Sequence, residues 1–97
     1  MIKVKLSKDH IEIKGHAMFA DSGKDIVCAS ASSIIITSIN GILSLDDKAL
    51  IYKKEDGFLS IDILKHNEQI DALILNMKNL LKELENQYKQ NIKIEEV

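Results

Sequence analysis

Residues 26–44 form a long stretch that is rich in apolar side chains and carries no charge. Its isoleucine-rich centre would allow a strand, because β-branched residues have high strand propensity. The stretch is too long for one strand of a small domain, and Asp25 before it is a good helix N-cap. We therefore expect a helix that is nearly encircled by apolar residues. Such a helix is buried on more than one side, which predicts a covering helix or a dimer partner.

Short segments that alternate between apolar and polar residues surround this helix. A period of two predicts strands, and an Asp-Gly pair between two such segments predicts a hairpin. The predicted strands and turns are residues 2–7 and 11–15 around a turn at 8–10, and residues 49–54 and 57–63 around a turn at 55–57.

A second helix is predicted after Asn67, which is a good N-cap. Its apolar residues follow helical spacing, and we interpret them as a core-facing stripe. The stripe consists of Ile70, Leu73, Ile74, Met77, Leu80, Leu81, Leu84 and Tyr88. Residues 92–95 predict a last short strand. The order β-β-α-β-β-α-β indicates a single α+β domain over residues 1–97, with two helices packed on a mixed sheet of about five strands.

The composition argues against nucleic acid and membranes as partners. All 13 basic residues are lysine, the net charge is −2, and the chain has no Trp, two Tyr and two Phe. It therefore lacks the arginine forks that bind nucleic acid directly, and the aromatic side chains that could stack on bases are few. The first six residues alternate and show no signal-peptide core, and no apolar run is expected to approach the ~20 residues of a spanning helix. We expect a cytoplasmic protein.

The single cysteine, Cys28, excludes an internal disulfide and any zinc site built on a cysteine pair. It is either a buried structural thiol or a reactive one. If Asp25 is the N-cap, Cys28 is the third residue of the helix, close to unpaired backbone N–H groups and the positive end of the helix dipole. Such a position can lower a cysteine pKa from about 8.5 into the range ~3.5–7.5. This placement favours the thiolate.

His16 is a candidate base for this thiol, because the segment between the two residues is long enough to fold back. The N–H groups of the first helical turn could hold the oxyanion, Asp25 could orient His16, and Ser32 lies on the same helical face as Cys28. Each residue also has a structural interpretation. Cys28 can be a small core residue, His16 a strand end, Asp25 a cap and Ser32 a site of close packing.

A metal site is a second possibility that the residue types leave open. His16, Asp21, Asp25 and Cys28 could together supply ligands, although mixed ligands on a loop are poor evidence for a metal. We predict neither a metal nor a cofactor. The other two histidines, His10 and His66, are interpreted as turn and helix-entry residues without chemistry.

One combined motif carries a family resemblance. Gly-His-Ala at 15–17, Gly-Lys-Asp-Ile-Val-Cys-Ala at 23–29 and Ser32 together resemble the signature of the ribosomal-processing cysteine protease family, Prp. The resemblance covers nearly the whole chain. It implies that His16 and Cys28 are the catalytic pair, that Asp25 and Ser32 support it, and that Gly15 and Gly23 flank the loop between His and Cys.

The resemblance also implies a substrate and an assembly. Members of this family are homodimers that remove the N-terminal extension of a large-subunit ribosomal protein, cutting after an aromatic residue. The implied partner is therefore a short extended peptide on a basic ribosomal protein. This chain departs from its relatives in the loop, where Met18 and Phe19 replace more polar residues. A non-catalytic, ribosome-associated binding protein that retains the motif is the alternative.

Overall fold

The computed structural model describes residues 1–15, 26–55 and 57–97. Over these ranges the chain forms five strands and two helices in the predicted order β-β-α-β-β-α-β. The elements are β1 (Ile2–Leu6), β2 (His10–Lys14), α1 (Ile26–Leu45), β3 (Leu50–Glu55), β4 (Phe58–Ile63), α2 (Glu68–Gln87) and β5 (Ile92–Glu96). The predicted α+β class, with two helices and a mixed sheet, is confirmed.

The described strands form a single sheet in the order β3-β4-β2-β1-β5. Strand β1 pairs antiparallel with β2 and parallel with β5, which makes the sheet mixed. Val4 lies opposite Ile13 on one side and Ile94 on the other, so apolar side chains meet across three strands. Lys3 and Lys5, which lie on either side of Val4 along β1, are exposed. The alternation in the sequence therefore separates a core-facing side of the sheet from a solvated side.

The helix α2 begins as its sequence predicts. The side chain of Asn67 accepts a hydrogen bond from the backbone N–H of Ile70 at 2.8 Å, which satisfies one of the free donors of the first turn. The buried residues of α2 follow the predicted stripe, and they are Ile70, Ile74, Met77, Leu81 and Leu84. Leu80 differs, because it is 37% exposed at the edge of the stripe.

The helix α1 packs against α2 and also contacts β3, while α2 contacts β5. The covering helix expected from the apolar composition of α1 is therefore α2. Burial does not extend around the whole of α1, since Ile26, Ile36 and Leu45 remain exposed. These residues lie outside the face that packs into the core.

The expectation about the length of apolar runs was wrong for α1. This helix is long and apolar enough to cross a membrane by length and composition alone. A core helix of a soluble protein passes the same test, and α1 belongs to the buried cluster that joins both helices to the sheet. Its apolar residues are accounted for by this packing.

The first hairpin turn is shorter than predicted. His10 is the first residue of β2 and not the last residue of the turn. Its carbonyl accepts hydrogen bonds from both the backbone N–H and the side chain of Ser7, each at 2.9 Å. These bonds close the turn across residues 8 and 9, so that His10 can pair with Asp62 of β4.

Candidate functional site

Cys28 occupies the position predicted for it, as the third residue of α1. The backbone N–H groups of a first helical turn have no partner within the helix, and the dipole makes that end positive. The thiol is also buried, with an exposure of 3%, and it belongs to the core cluster. The helix terminus therefore favours an anion at this position, whereas burial among apolar side chains disfavours one and restricts access from solvent.

The other half of the predicted pair lies in the stretch 16–25, outside the described residues. This stretch contains His16, Gly23 and Asp25. The structure therefore gives no geometry between His16 and Cys28, and the roles predicted for these three residues stay predictions. The two ends of the stretch are described, at Gly15 after β2 and at Ile26, where α1 begins.

Gly15 is held by the sheet at the point where the chain leaves β2. Its φ of 81° lies in the left-handed region that favours glycine. Its N–H donates a hydrogen bond to the carbonyl of Gly57 at 2.8 Å, next to β4. The glycine predicted to flank the loop therefore has a local conformational reason to be glycine.

Ser32 lies one helical turn after Cys28 and lines a cavity of about 280 Å³. We call this cavity the α1–β3 groove, because one wall is α1 and the other is formed largely by β3 and β4. It is lined by Ile13, Ala31, Ser32, Ile35, Ile36, Ile39, Asn40, Tyr52, Lys54 and Leu59. The groove begins within one turn of the candidate nucleophile and is mainly apolar.

Most of the groove was not predicted from the sequence as part of a site. A signal was present at Ile51 and Tyr52, which are adjacent in β3 and therefore point to opposite faces of the sheet. Both are exposed, by 60% and 50% respectively. Tyr52 lies on the face of the sheet that meets α1 and lines the groove, whereas Ile51 lies on the opposite face.

His10 and His66 each lie between two carboxylates, which the sequence analysis did not anticipate. His10 contacts Asp62 at 2.6 Å and Glu12 at 3.0 Å through its two ring nitrogens. The hydrogen bond to Asp62, and then that to Glu12, raises the pKa of His10 above its ordinary value. His10 begins β2 and Gly15 follows its end, so this cluster lies about 17 Å along the strand from the loop stretch.

His66 forms the equivalent arrangement with Asp71 at 2.7 Å and Asp9 at 2.6 Å. The hydrogen bond to Asp71, and then that to Asp9, raises the pKa of His66. His66 directly precedes the N-cap Asn67, so its interpretation as a helix-entry residue is confirmed. Asp9 belongs to the β1–β2 turn, so the bond ties this turn to the start of α2.

Within the ranges 1–15, 26–55 and 57–97 no group of three or more His, Cys, Asp or Glu side chains is arranged to hold a metal ion. Three residues of the alternative metal site, His16, Asp21 and Asp25, lie outside these ranges. That alternative is therefore not tested by the geometry.

Sequence comparison relates nearly the whole chain to one family. Residues 1–93 match the family described as Cysteine protease Prp. The ribosomal processing cysteine protease Prp of Mycoplasma pneumoniae is 32% identical over 99 residues, covering 99% of this chain and 95% of that protein. The protein of the same name from Staphylococcus aureus (strain Mu50) is 30% identical over 83 residues, covering 82% of this chain and 78% of that protein.

Comparison with solved structures extends the likeness to the fold. The essential ribosomal processing protease Prp from S. aureus, in complex with a covalently linked product peptide, matches with a TM-score of 0.90 and 26% identity, covering 100% of both chains. The same protease in complex with a substrate peptide matches with a TM-score of 0.89 and 25% identity, again over 100% of both chains. The similarity therefore includes α1, which carries Cys28 and Ser32.

Proposed function

This chain belongs to the cysteine protease Prp family, and on that premise we propose that it removes the N-terminal extension of a large-subunit ribosomal protein, with Cys28 as nucleophile and His16 as base. The observation that carries the proposal is the position of Cys28 in the first turn of α1. A thiolate is favoured there by the helix dipole and by N–H groups that have no partner within the helix. The covalent product complex of the S. aureus relative agrees with a covalent mechanism.

The proposed reaction has two steps. His16 takes the proton from Sγ of Cys28, and the thiolate attacks the scissile carbonyl carbon while N–H groups of the first helical turn hold the oxyanion. The C–N bond then breaks, and His16 returns its proton to the leaving amine. In the second step His16 takes a proton from water, the hydroxide attacks the thioester, and Cys28 leaves as the thiol with the proton from His16.

The remaining predicted residues have supporting roles in this proposal. Asp25 orients the His16 ring and caps α1, and Ser32 presents a hydroxyl one turn beyond the nucleophile. Gly15 and Gly23 flank the stretch that carries His16. The mechanism requires no metal and no cofactor.

The proposal includes an assembly and a location. The chain is proposed to be a cytoplasmic homodimer whose partner is the N-terminal peptide of a basic ribosomal protein, without direct contact to nucleic acid or membrane. Mass in solution measured by sedimentation tests the dimer, and a single species of monomer mass at micromolar concentration would contradict it.

Cleavage of the ribosomal protein precursor, followed by mass spectrometry of the products, tests the reaction. Cys28→Ala is expected to abolish cleavage while the circular dichroism spectrum is retained. His16→Ala is expected to lower turnover by about 10²–10⁴-fold, the usual contribution of a general base. His66→Gln is a matched control, because that histidine contacts Asp9, in the turn at the opposite end of β2 from Gly15. Unchanged cleavage by Cys28→Ala would remove Cys28 from the mechanism.

The 3% exposure of Cys28 favours the alternative of a non-catalytic, ribosome-associated binding protein, in which the thiol is only a core residue. Alkylation by iodoacetamide at neutral pH separates the two functions. An activated thiol reacts faster in the native chain than in the urea-unfolded chain, because the fold lowers its pKa. A native chain that reacts far more slowly and cleaves no precursor would support the alternative.

A further inference from the structure

We propose that three lysines on the solvated side of the sheet form a docking site for an acidic segment of a partner protein. They are Lys14 on β2, Lys3 on β1 and Lys93 on β5, and we call them the lysine row. All three side chains are exposed. The inference depends neither on Cys28 nor on the proposed cleavage.

The strand register places the three lysines in line. Lys3 lies directly opposite Lys14 in the antiparallel pair of β1 and β2, and directly opposite Lys93 in the parallel pair of β1 and β5. Neighbouring strands lie about 4.8 Å apart, so the row spans about 10 Å. Like charges directly opposite each other destabilise a sheet. The fold therefore carries an arrangement that weakens the pairing of its own strands.

The next residues on the same side of these three strands show the opposite pattern. Lys5 lies between Glu12 on β2 and Glu95 on β5. Charges of opposite sign face each other there, as the stability of a sheet favours. Because the chain as a whole has a net charge of −2, the lysine row is a local concentration of positive charge and not a consequence of a basic composition.

Little in the described part of the chain neutralises the lysine row. Lys93 approaches Glu95 only at 3.9 Å, and among the described residues neither Lys3 nor Lys14 forms an ion pair. The ammonium group of Lys14 lies 5.8 Å from the centroid of the Phe58 ring, which attracts a cation but carries no net charge. The lysine row therefore presents positive charge to solvent.

A surface depression beside the row offers space for carboxylate side chains. Its volume is about 320 Å³, and it is lined by Lys3, Lys5, Glu12, Lys14 and Glu95. The Glu12 carboxylate already contacts the ring of His10 at 3.0 Å. Three ammonium groups thus line a depression in which one of the two carboxylates is engaged by another residue, and this charge distribution complements an acidic ligand.

A short acidic protein segment suits the lysine row better than a nucleic acid does. Glu12 and Glu95 lie next to the row and repel a long polyanion that extends beyond its length of about 10 Å. The chain has no arginine to bind phosphate bidentately, and one aromatic ring, Phe58, adjoins the row. Carboxylates on one face of a short segment can contact the lysines alone.

Fluorescence anisotropy with fluorescein-labelled octaglutamate at low ionic strength tests the docking site. Lys3→Gln is expected to raise the Kd about 3-fold, and the triple variant Lys3→Gln/Lys14→Gln/Lys93→Gln about 10-fold or more. Lys78→Gln is the matched control, because it removes the same charge from α2. Added salt is expected to raise the Kd, since the lysines are exposed. Absence of binding, or one Kd for all four chains, would overturn the inference.

Urea unfolding provides a second readout that does not depend on the probe. Lys3→Gln is expected to raise the urea midpoint at low salt, because it relieves repulsion along the row, and the gain should shrink in about 1 M salt. Lys5→Gln is expected to lower the midpoint, because Lys5 lies between two glutamates. A lower midpoint for Lys3→Gln would show that the row is not repulsive and would contradict the inference.

Three other occupants of this face give distinct results, and each would overturn the inference. Tighter binding of octauridylate RNA than of octaglutamate, lost in the triple variant, would assign the face to nucleic acid. A changed mass in solution for the triple variant would make it a subunit interface. Loss of precursor cleavage in a folded Lys3→Gln chain would make it part of substrate binding. The octaglutamate measurement uses no precursor, so failure of the proposed cleavage would leave it unaffected.

Discussion

The backbone of Gly15 lies directly against the carbonyl group of Met1. A Cβ atom built on Gly15 would stand 2.7 Å from that carbonyl oxygen, which is closer than real Cβ contacts allow. The φ of Gly15 is also positive, at 81°. Two independent constraints, space and backbone conformation, therefore require glycine where β2 leads into the stretch that carries His16.

We expect Gly15→Ala to destabilise the fold by at least about 1 kcal/mol, because a side chain is strained in the left-handed region and the start of β1 must shift to make room. Urea unfolding measures the change. Gly41→Ala is the control, since a Cβ there meets only Leu73, at an ordinary 3.6 Å. Alanine within helix α1 is expected to stabilise by about 0.5–1 kcal/mol. Equal effects at the two positions would show that Gly15 is not constrained.

His10 and His66 each contact two carboxylates, and we call these two arrangements the histidine bridges. They predict that the stability of the fold falls as the pH rises above neutrality. Carboxylates only accept hydrogen bonds, so a ring with both nitrogens on carboxylates carries both protons and is charged. The pKa of His66 is raised above 6.5 in the folded chain by Asp71 and Asp9. The contribution is therefore complete below about pH 6.5 and is lost as the pH rises through the higher folded pKa.

Urea unfolding of the wild-type chain and of His66→Gln between pH 6 and pH 9 measures this contribution. The difference in unfolding free energy between the two chains is expected to be largest at the acidic end and to shrink toward pH 9. It should be small, because exposed ion pairs contribute little and are screened by salt. His10→Gln should behave in the same way, since Asp62 and Glu12 raise the pKa of His10. A difference that grows with pH would contradict the charged bridges.

The ionised carboxylate of Glu12 is expected to contribute stability that is lost as the pH falls, which is the opposite of the dependence expected for the histidines. Its pKa is lowered, chiefly by the hydrogen bond from His10. A carboxylate with a lowered folded pKa contributes stability above its unfolded pKa and loses it as the pH falls through the folded value. Glu12→Gln is therefore expected to destabilise near neutral pH and to approach the wild type in acid. Urea midpoints at pH 3 and pH 6 give the comparison.

Asn67→Ala is expected to cost about 1 kcal/mol of stability, because the N–H of Ile70 loses the acceptor that caps α2. Asn76→Ala is the matched control. Asn76 is exposed in the interior of the same helix, where alanine has the higher helix propensity. Thermal unfolding should show a lower Tm for the first variant alone. If both variants melt together, the cap contributes nothing.

Leu81→Ala is expected to cost about 2–5 kcal/mol, because this side chain is 0% exposed and its removal leaves a cavity between α2 and the rest of the core. Leu75 lies on the same helix and is 58% exposed, so Leu75→Ala should change stability by less than about 0.5 kcal/mol. Urea unfolding of the two variants gives the comparison. A large loss for Leu75→Ala would instead indicate that a partner covers that face.

The candidate site was predicted unevenly, for physical reasons. The placement of Cys28 as the third residue of a helix follows from local signals, namely an uncharged apolar run and an acidic residue before it. The positive φ of Gly15 favours glycine locally, whereas its close approach to Met1 is a contact between residues distant in sequence. The α1–β3 groove could not be predicted, because it unites α1 with Tyr52 and Leu59, which are distant in sequence. The geometry between His16 and Cys28 lies outside the described residues.

The histidine bridges show the same limit. Asp9 and His66 are 57 positions apart, and the sequence around either residue does not indicate a contact with the other. The turn at residues 8 and 9 has to pack beside the start of α2 before the bond can form. The sequence supported only the local interpretation of His66 as a helix-entry residue, and for His10 even the local boundary was wrong by one residue.

The sequence by itself determined the elements of this protein, because periods of two and 3.6 residues record which side of a strand or helix meets the core. It thereby determined the order of strands and helices, the cap at Asn67 and the position of Cys28 in α1. Only the tertiary structure decided the strand order β3-β4-β2-β1-β5, the face of α1 that stays exposed and the groove beside it. These features depend on contacts between residues that are far apart in the chain. The local periodicity of the sequence carries no information about the free energies of such contacts.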